Sequence, residues 1–178
     1  MGEKEFKKTG IGEEAPDIIN VVVEIPKGSH NKYEYDEERS IFKLDRVLHS
    51  PLHYPADYGF IPETRALDGD PLDAMVIGTD PTFPGCLVRC RPIGLLKMKD
   101  EGEKDFKVLG VQVDNRGLDN VKDIDDLKTH NPHFLKETAH FFKSYKALEN
   151  KEVEVLEWGE RKDAVEEIEK TRKRYEEE

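Results

Sequence analysis

Residues 17–26 (DIINVVVEIP) are rich in β-branched residues, and Glu24 interrupts them. Such a run predicts a buried strand. A carboxylate inside it faces either solvent on the outer side or a site on the inner side. Taken alone, Glu24 reads as solvent-facing, because Glu is seldom buried unless paired. Residues 32–35 and 41–48 alternate around the polar turn 36–40, which is a hairpin pattern. Arg46 falls on the apolar side with Phe42, Leu44 and Leu48. It could point into a pocket, but by itself it reads as a salt-bridged arginine whose stem covers the core. An aromatic loop, 54–62 (YPADYGFIP), runs into a short strand, and its tyrosines can be core residues or hydroxyl donors. Residues 74–77 predict a strand. Residues 86–99 predict a long one bent near Pro92–Gly94, and residues 106–113 another.

The second half changes period. Residues 124–128 suggest a short helix. Asn131-Pro132 then reads as an N-cap with proline at the first helical position. Phe134, Thr138, Phe141, Tyr145 and Leu148 follow at helical spacing, giving a broad apolar face with Lys143 and Lys146 near its end. Residues 150–158 alternate like a last strand. Residues 161–178 form a charged helix with Ala164, Ile168, Thr171 and Tyr175 on one side. Many short strands followed by helix, strand and helix predict an α+β fold, most simply a small antiparallel barrel with helices outside it. Residues 1–16 are polar and read as a loosely held arm.

Length and charge narrow the uses of such a barrel. At 178 residues the chain suits one domain, 1–178. Charged residues are 38%, against ~25% in an average soluble domain, and the single glutamine, Gln112, accompanies a composition like that of heat-adapted proteins. A net charge of −11 disfavours nucleic acid and anionic membranes as partners. No apolar run approaches a membrane span, and residues 1–5 lack a signal-peptide core, so a cytoplasmic location is expected. Cys86 and Cys90 would lie about 13 Å apart on one face of a strand, too far for a disulfide. They read as packing residues in a reducing compartment. His49 and His53 flank Pro51 and do not form a helical zinc pair.

Candidate chemistry is concentrated in two acidic loops. Leu67-Asp68-Gly69-Asp70-Pro71-Leu72-Asp73 sets three carboxylates in a turn. Three anions forced together repel unless a cation intervenes, which suggests a hard divalent ion, Mg²⁺ or Ca²⁺; the competing reading is an ordinary surface turn. An EF-hand loop starting at Asp68 would need glycine at its sixth position and glutamate at its twelfth, where Asp73 and Thr79 stand. Residues 100–107 carry four carboxylates and two lysines, and in isolation read as a solvated hairpin tip. With Lys32, Arg46, Lys107, Lys146 and several tyrosines on neighbouring elements, a site mixing carboxylates and cations suits metal-assisted phosphate chemistry. No P-loop motif and no Gly-x-Ser-x-Gly or Cys–His arrangement is present, so water is the expected nucleophile.

The run Asp68-Gly-Asp-Pro-Leu-Asp73 resembles the D-x-D-P-x-D signature of the soluble family I inorganic pyrophosphatases. The resemblance extends through VVVEIPKGSHNKYEYD, YPADYGFIP, RCRPIGLLKMKDEGEKDFK and AHFFKSYKALE, in the same order over residues 18–158. It implies the bacterial and archaeal branch, a five-stranded OB-like barrel, a homohexamer, several Mg²⁺ ions and hydrolysis of pyrophosphate to phosphate. It further implies that Asp68, Asp73, Asp100 and Asp105 bind metal, with Glu24 acting through water and Glu101 in a supporting role. Lys32, Arg46, Tyr58, Lys107, Tyr145 and Lys146 would bind phosphate, Tyr54 would line the site and Glu34 would support it. Asp70 would be the general base. Two other readings are weighed against this one: a metal-dependent phosphohydrolase acting on nucleotides, and a non-enzymatic OB-like binding domain.

Overall fold

The structure is a computed structural model and describes residues 9–178. The first eight residues of the expected arm, and with them the reading of residues 1–5, lie outside the described residues. The rest of that arm is held firmly. Ile11 is buried, its N–H donates to the Glu63 carboxylate, and its carbonyl accepts from Asn20.

Nine strands and three α-helices follow: β1 (Ile19–Ile25), β2 (Asn31–Asp36), β3 (Ile41–Val47), β4 (Asp57–Phe60), β5 (Asp73–Ile77), β6 (Leu87–Asp100), β7 (Glu103–Lys104), β8 (Lys107–Gln112), α1 (Ile124–His130), α2 (Phe134–Ser144), β9 (Val153–Glu160) and α3 (Arg161–Glu176). Strands β1, β4, β5, β8 and β6 hydrogen-bond in that order and β6 returns to β1, closing a ring of five. The expected antiparallel barrel is present, with one parallel pair in its ring: β5 and β8, which register Asp73 against Lys107. The reason is topological. A closed ring with an odd number of strands cannot alternate direction everywhere.

The hub is β6, 14 residues long. Its first half pairs with β1, its middle with β8, and its second half with β9. The register slips between Pro92 and Gly94, where the sequence predicted a bend; a bulge there turns the strand from one neighbour to the next. Gly59 is required where β4 crosses β1, since a Cβ there would lie 2.0 Å from the Val22 carbonyl oxygen.

Both faces of the barrel strands are buried, which is why they read as continuous apolar runs. Met75, Leu109, Leu96 and Met98 pack with Phe141 and Phe142 of α2, whereas Ala74, Val76, Val108 and Leu95 pack with Ala164 and Ile168 of α3. Helix α2 begins later than its sequence suggests. Asn131 serves as the C-cap of α1, donating its N–H to the Leu127 carbonyl, and α2 is capped at His133 without a side-chain bond. It also ends earlier, at Ser144, so Leu148 lies beyond it and is exposed. Cys90 is fully buried and burial pushes its thiol up to about 12, in keeping with a packing role. Among the described residues no helix is long and apolar enough to cross a membrane.

Candidate active site

The site grows out of one face of the barrel. Period-two alternation puts Asp73 in line with Met75, Lys107 in line with Leu109, and Asp100 in line with Met98 and Leu96. Each row is apolar in the core and ends in a charge at the same mouth. Because the parallel ladder registers Asp73 against Lys107, the two side chains meet: Lys107 Nζ donates to Asp73 Oδ2 at 2.9 Å and to Asp105 Oδ1 at 2.8 Å. The Tyr58 hydroxyl donates to the same Asp73 oxygen at 2.7 Å. The Lys107 side chain is 3% exposed, and its ammonium also faces the rings of Tyr58 and Phe142. Burial opposes this charge, but Asp73 and Asp105 outweigh it and hold the ammonium above the ordinary lysine range.

Glu24 reaches the site through a β-bulge. Val23 pairs with Gly59 and Ile25 with Tyr58, which leaves Glu24 as the extra residue of β1. Its carboxylate turns inward and accepts the Tyr35 N–H at 2.8 Å, so the solvent-facing reading of this residue fails. Burial, with Asp73 adding to it, pushes its carboxyl from 4.5 to about 8. A second bulge makes Asp45 the extra residue of β3, between Lys32 and Arg46. Lys32 pairs with Glu34 and lies 3.6 Å from Asp45. Arg46 bonds Asp45 at 2.6 Å, and its Nε lies 2.8 Å from Glu149 Oε1, a close ion pair without an aligned hydrogen bond at that nitrogen. The salt-bridged reading of Arg46 therefore describes its contacts. Asp45 and Glu149 were not singled out from sequence. The first sits beside Arg46 in the chain, whereas nothing local marks the second.

Glu24, Lys32, Glu34, Tyr58, Asp70 and Asp73 line one cleft of about 330 Å³. Asp68, Asp73 and Asp105 line a narrow adjoining crevice, so Asp73 is shared by both. Asp70 is exposed at the cleft mouth. Partial desolvation first, then the charges of Asp68, Asp73 and Glu34, hold its carboxyl above the ordinary range. On the far side Lys146 donates to Asp100 Oδ2, while Asp100 Oδ1 is buried with no partner. Tyr54, Tyr58 and Tyr145 are buried in one aromatic cluster with Phe141 and Phe142, and burial keeps their phenols protonated, as hydrogen-bond donors. Glu101 is the residue the structure does not bring in. It occupies a left-handed turn position (φ 49°) with its side chain 59% exposed, 3.9 Å from Lys151. A larger cavity of about 670 Å³ lies around Tyr54, His130 and Phe134, but Tyr54 alone among the sequence-derived residues reaches it. Among the described residues no three acidic, histidine or cysteine side chains are arranged to hold a metal ion as they stand; lysines and tyrosines meet the carboxylates instead.

The raised Glu24 carboxyl makes a stability prediction. In metal-free protein the folded chain holds a proton on Glu24 between pH 4.5 and about 8 that the unfolded chain has lost. The stability contributed by protonated Glu24 is therefore fully present below pH 4.5, is lost as pH rises, and is gone above about 8. Glu24→Gln should flatten that decline in melting temperature, measured with chelator present. Parallel pH profiles for wild type and variant would refute it.

A five-stranded barrel with carboxylates and ammonium groups interleaved at one mouth has the charge pattern that metal-assisted phosphoryl chemistry uses. A sequence model of the inorganic pyrophosphatase family matches residues 21–176. Similar proteins include the inorganic pyrophosphatase of Geobacillus stearothermophilus, 55% identical over 141 residues that cover 79% of this chain and 84% of that one. That of Thermus thermophilus is 47% identical over 174 residues, covering 96% and 97%. The crystal structure of the Thermus thermophilus inorganic pyrophosphatase superposes with a TM-score of 0.89 at 46% identity, covering 93% of this chain and 95% of that one. The chain belongs to the inorganic pyrophosphatase family.

Proposed function

We propose that the chain hydrolyses inorganic diphosphate to two orthophosphates in the cleft lined by Glu24, Lys32, Tyr58, Asp70 and Asp73, with Mg²⁺ as cofactor. In the cell this would draw forward the biosynthetic reactions that release pyrophosphate. The observation that carries the reading is the buried Tyr58 and Lys107 bonded to the half-buried Asp73 and Asp105 by three hydrogen bonds at the barrel mouth.

The donors fit a hard divalent cation. They are carboxylate oxygens, and Asp100 Oδ1 is buried without a partner. Asp68, Asp73, Asp100 and Asp105 would hold Mg²⁺, with Glu24 behind them; Glu101, turned to solvent, is left out of the set. Bound Mg²⁺ supplies positive charge to the anionic substrate and lowers the pKa of water towards ~7. Asp70 takes the proton of the attacking water, a role its raised carboxyl suits because a base works best near the working pH. Lys32, Arg46 and Lys146 meet phosphate oxygens, and Lys107, with two of its three N–H donors already used, keeps one for the substrate. Tyr58 and Tyr145 present protonated hydroxyls, Tyr54 supports Tyr58 from the aromatic cluster and Glu34 orients Lys32. The remaining expectations are a single domain over 1–178, a homohexamer and a cytoplasmic location. A net charge of −11 supports the absence of nucleic acid and of anionic membrane among its partners.

Phosphate release from pyrophosphate and from ATP, each with Mg²⁺ and with chelator, tests this reading. Rapid release from pyrophosphate that chelator abolishes is expected, with ATP turned over far more slowly. Equal or faster release from ATP would favour the nucleotide phosphohydrolase. No release from either, with single-stranded oligonucleotide bound, would favour the binding domain.

A further inference from the structure

The C-terminal helix lines no part of the cleft of about 330 Å³, but its Glu167 borders the adjoining crevice and the helix grips both acidic loops. On the first loop, the Arg65 N–H donates to the Thr171 carbonyl at 2.9 Å and the Arg65 carbonyl accepts from Arg174 at 2.5 Å. Arg65 in turn donates through Nη1 to the Gly69 carbonyl at 2.6 Å, inside the turn that carries Asp68 and Asp70. On the second loop, Lys104 donates to both Glu167 oxygens, at 2.8 and 2.9 Å, and its ammonium lies 4.2 Å from the centre of the Phe106 ring. Lys104 and Phe106 flank Asp105. The Glu167 side chain is 8% exposed and that of Lys104 34%, so the pair is shielded on its carboxylate side only.

From this geometry we infer that α3 is a strut. It sets the spacing between the Asp68–Asp73 loop and the Asp100–Asp105 hairpin, with Arg65 and Glu167 as positioning residues. The inference rests on the reading of those loops as Mg²⁺ holders. A multi-carboxylate site tolerates only about 0.5 Å of misplacement. The loops belong to β5 and to the β6–β8 hairpin, and the ladder between them holds Asp73 but not the exposed turn before it. Asp68 accepts the Asp70 N–H at 3.0 Å, and the Ala66 N–H closes on the Asp70 carbonyl at 2.7 Å, so the turn moves as one piece anchored at Arg65.

The test is a Mg²⁺ titration of melting temperature on the full chain without substrate, for wild type, Arg65→Met, Glu167→Ala and Asp163→Ala. The last removes the capping box of α3, where Asp163 bonds the Glu160 N–H and Lys97 and no residue of either loop. Partner-residue changes around metal ligands typically weaken metal binding ~10–100-fold. Arg65→Met and Glu167→Ala should shift the Mg²⁺ midpoint upward by about that factor, and excess Mg²⁺ should restore their kcat on pyrophosphate. Asp163→Ala should lower the metal-free melting temperature and leave the midpoint in place. If Arg65→Met does not fold, Arg65→Lys, which lacks the forked guanidinium, serves in its place with a smaller shift expected. A wild-type response with unchanged midpoints in the loop variants overturns the strut, as does an equal shift in Asp163→Ala. No Mg²⁺ response in wild type instead overturns the reading of the loops themselves.

Discussion

Asp70→Asn is expected to lower kcat on pyrophosphate by ~10²–10⁴, the range lost with a general base. Asn keeps the size of the side chain and can still sit at the mouth of the cleft, but it cannot accept the proton of water. Nothing in the fold depends on its charge: the side chain is exposed, and the turn is closed by the Asp70 main chain and by Asp68. The metal-free melting temperature should therefore be no lower than that of wild type while turnover collapses. Removing Asp70 also removes like charge from beside Asp68, Asp73 and Glu34, so the loss cannot be ascribed to a harsher electrostatic environment. Wild-type turnover in this variant would move the proton to another acceptor.

Lys107→Met should be the most damaging change to the fold. It leaves Asp73 and Asp105 facing each other with their shared ammonium gone. Breaking a buried ion pair by deleting one partner costs ~3–5 kcal/mol. For a chain of this size that corresponds to a melting-temperature loss of about 6–20 °C. Two further measurements separate charge from packing. Asp105→Asn added to Lys107→Met should recover part of the loss, because one orphaned charge disappears. Mg²⁺ should also narrow the gap between Lys107→Met and wild type, because a cation on those carboxylates replaces the ammonium charge. A methionine variant as stable as wild type without metal would show that Lys107 is not the charge that balances the site.

The sequence by itself carried most of this protein. The strand runs, the bend at Pro92–Gly94, the hairpin at 31–47 and the charged last helix are written in local periodicity. The two acidic loops are legible too, since Asp-Gly and Asp-Pro force turns and the charges cluster. Alternation even places Asp73, Lys107 and Asp100 on one face once the strands are known. Tertiary structure decided what lies beyond the reach of neighbours in the chain. A carboxylate inside a β run takes its direction from a bulge, and the bulge at Glu24 follows from the register with β4. The start of α2 was misread because Asn131 had a competing role at the end of α1. The parallel β5–β8 pair follows from closing five strands into a ring. The pairing of Asp73 with Lys107, of Arg46 with Glu149, and of both acidic loops with α3 joins residues 34 to 109 positions apart, where no local pattern can announce the contact.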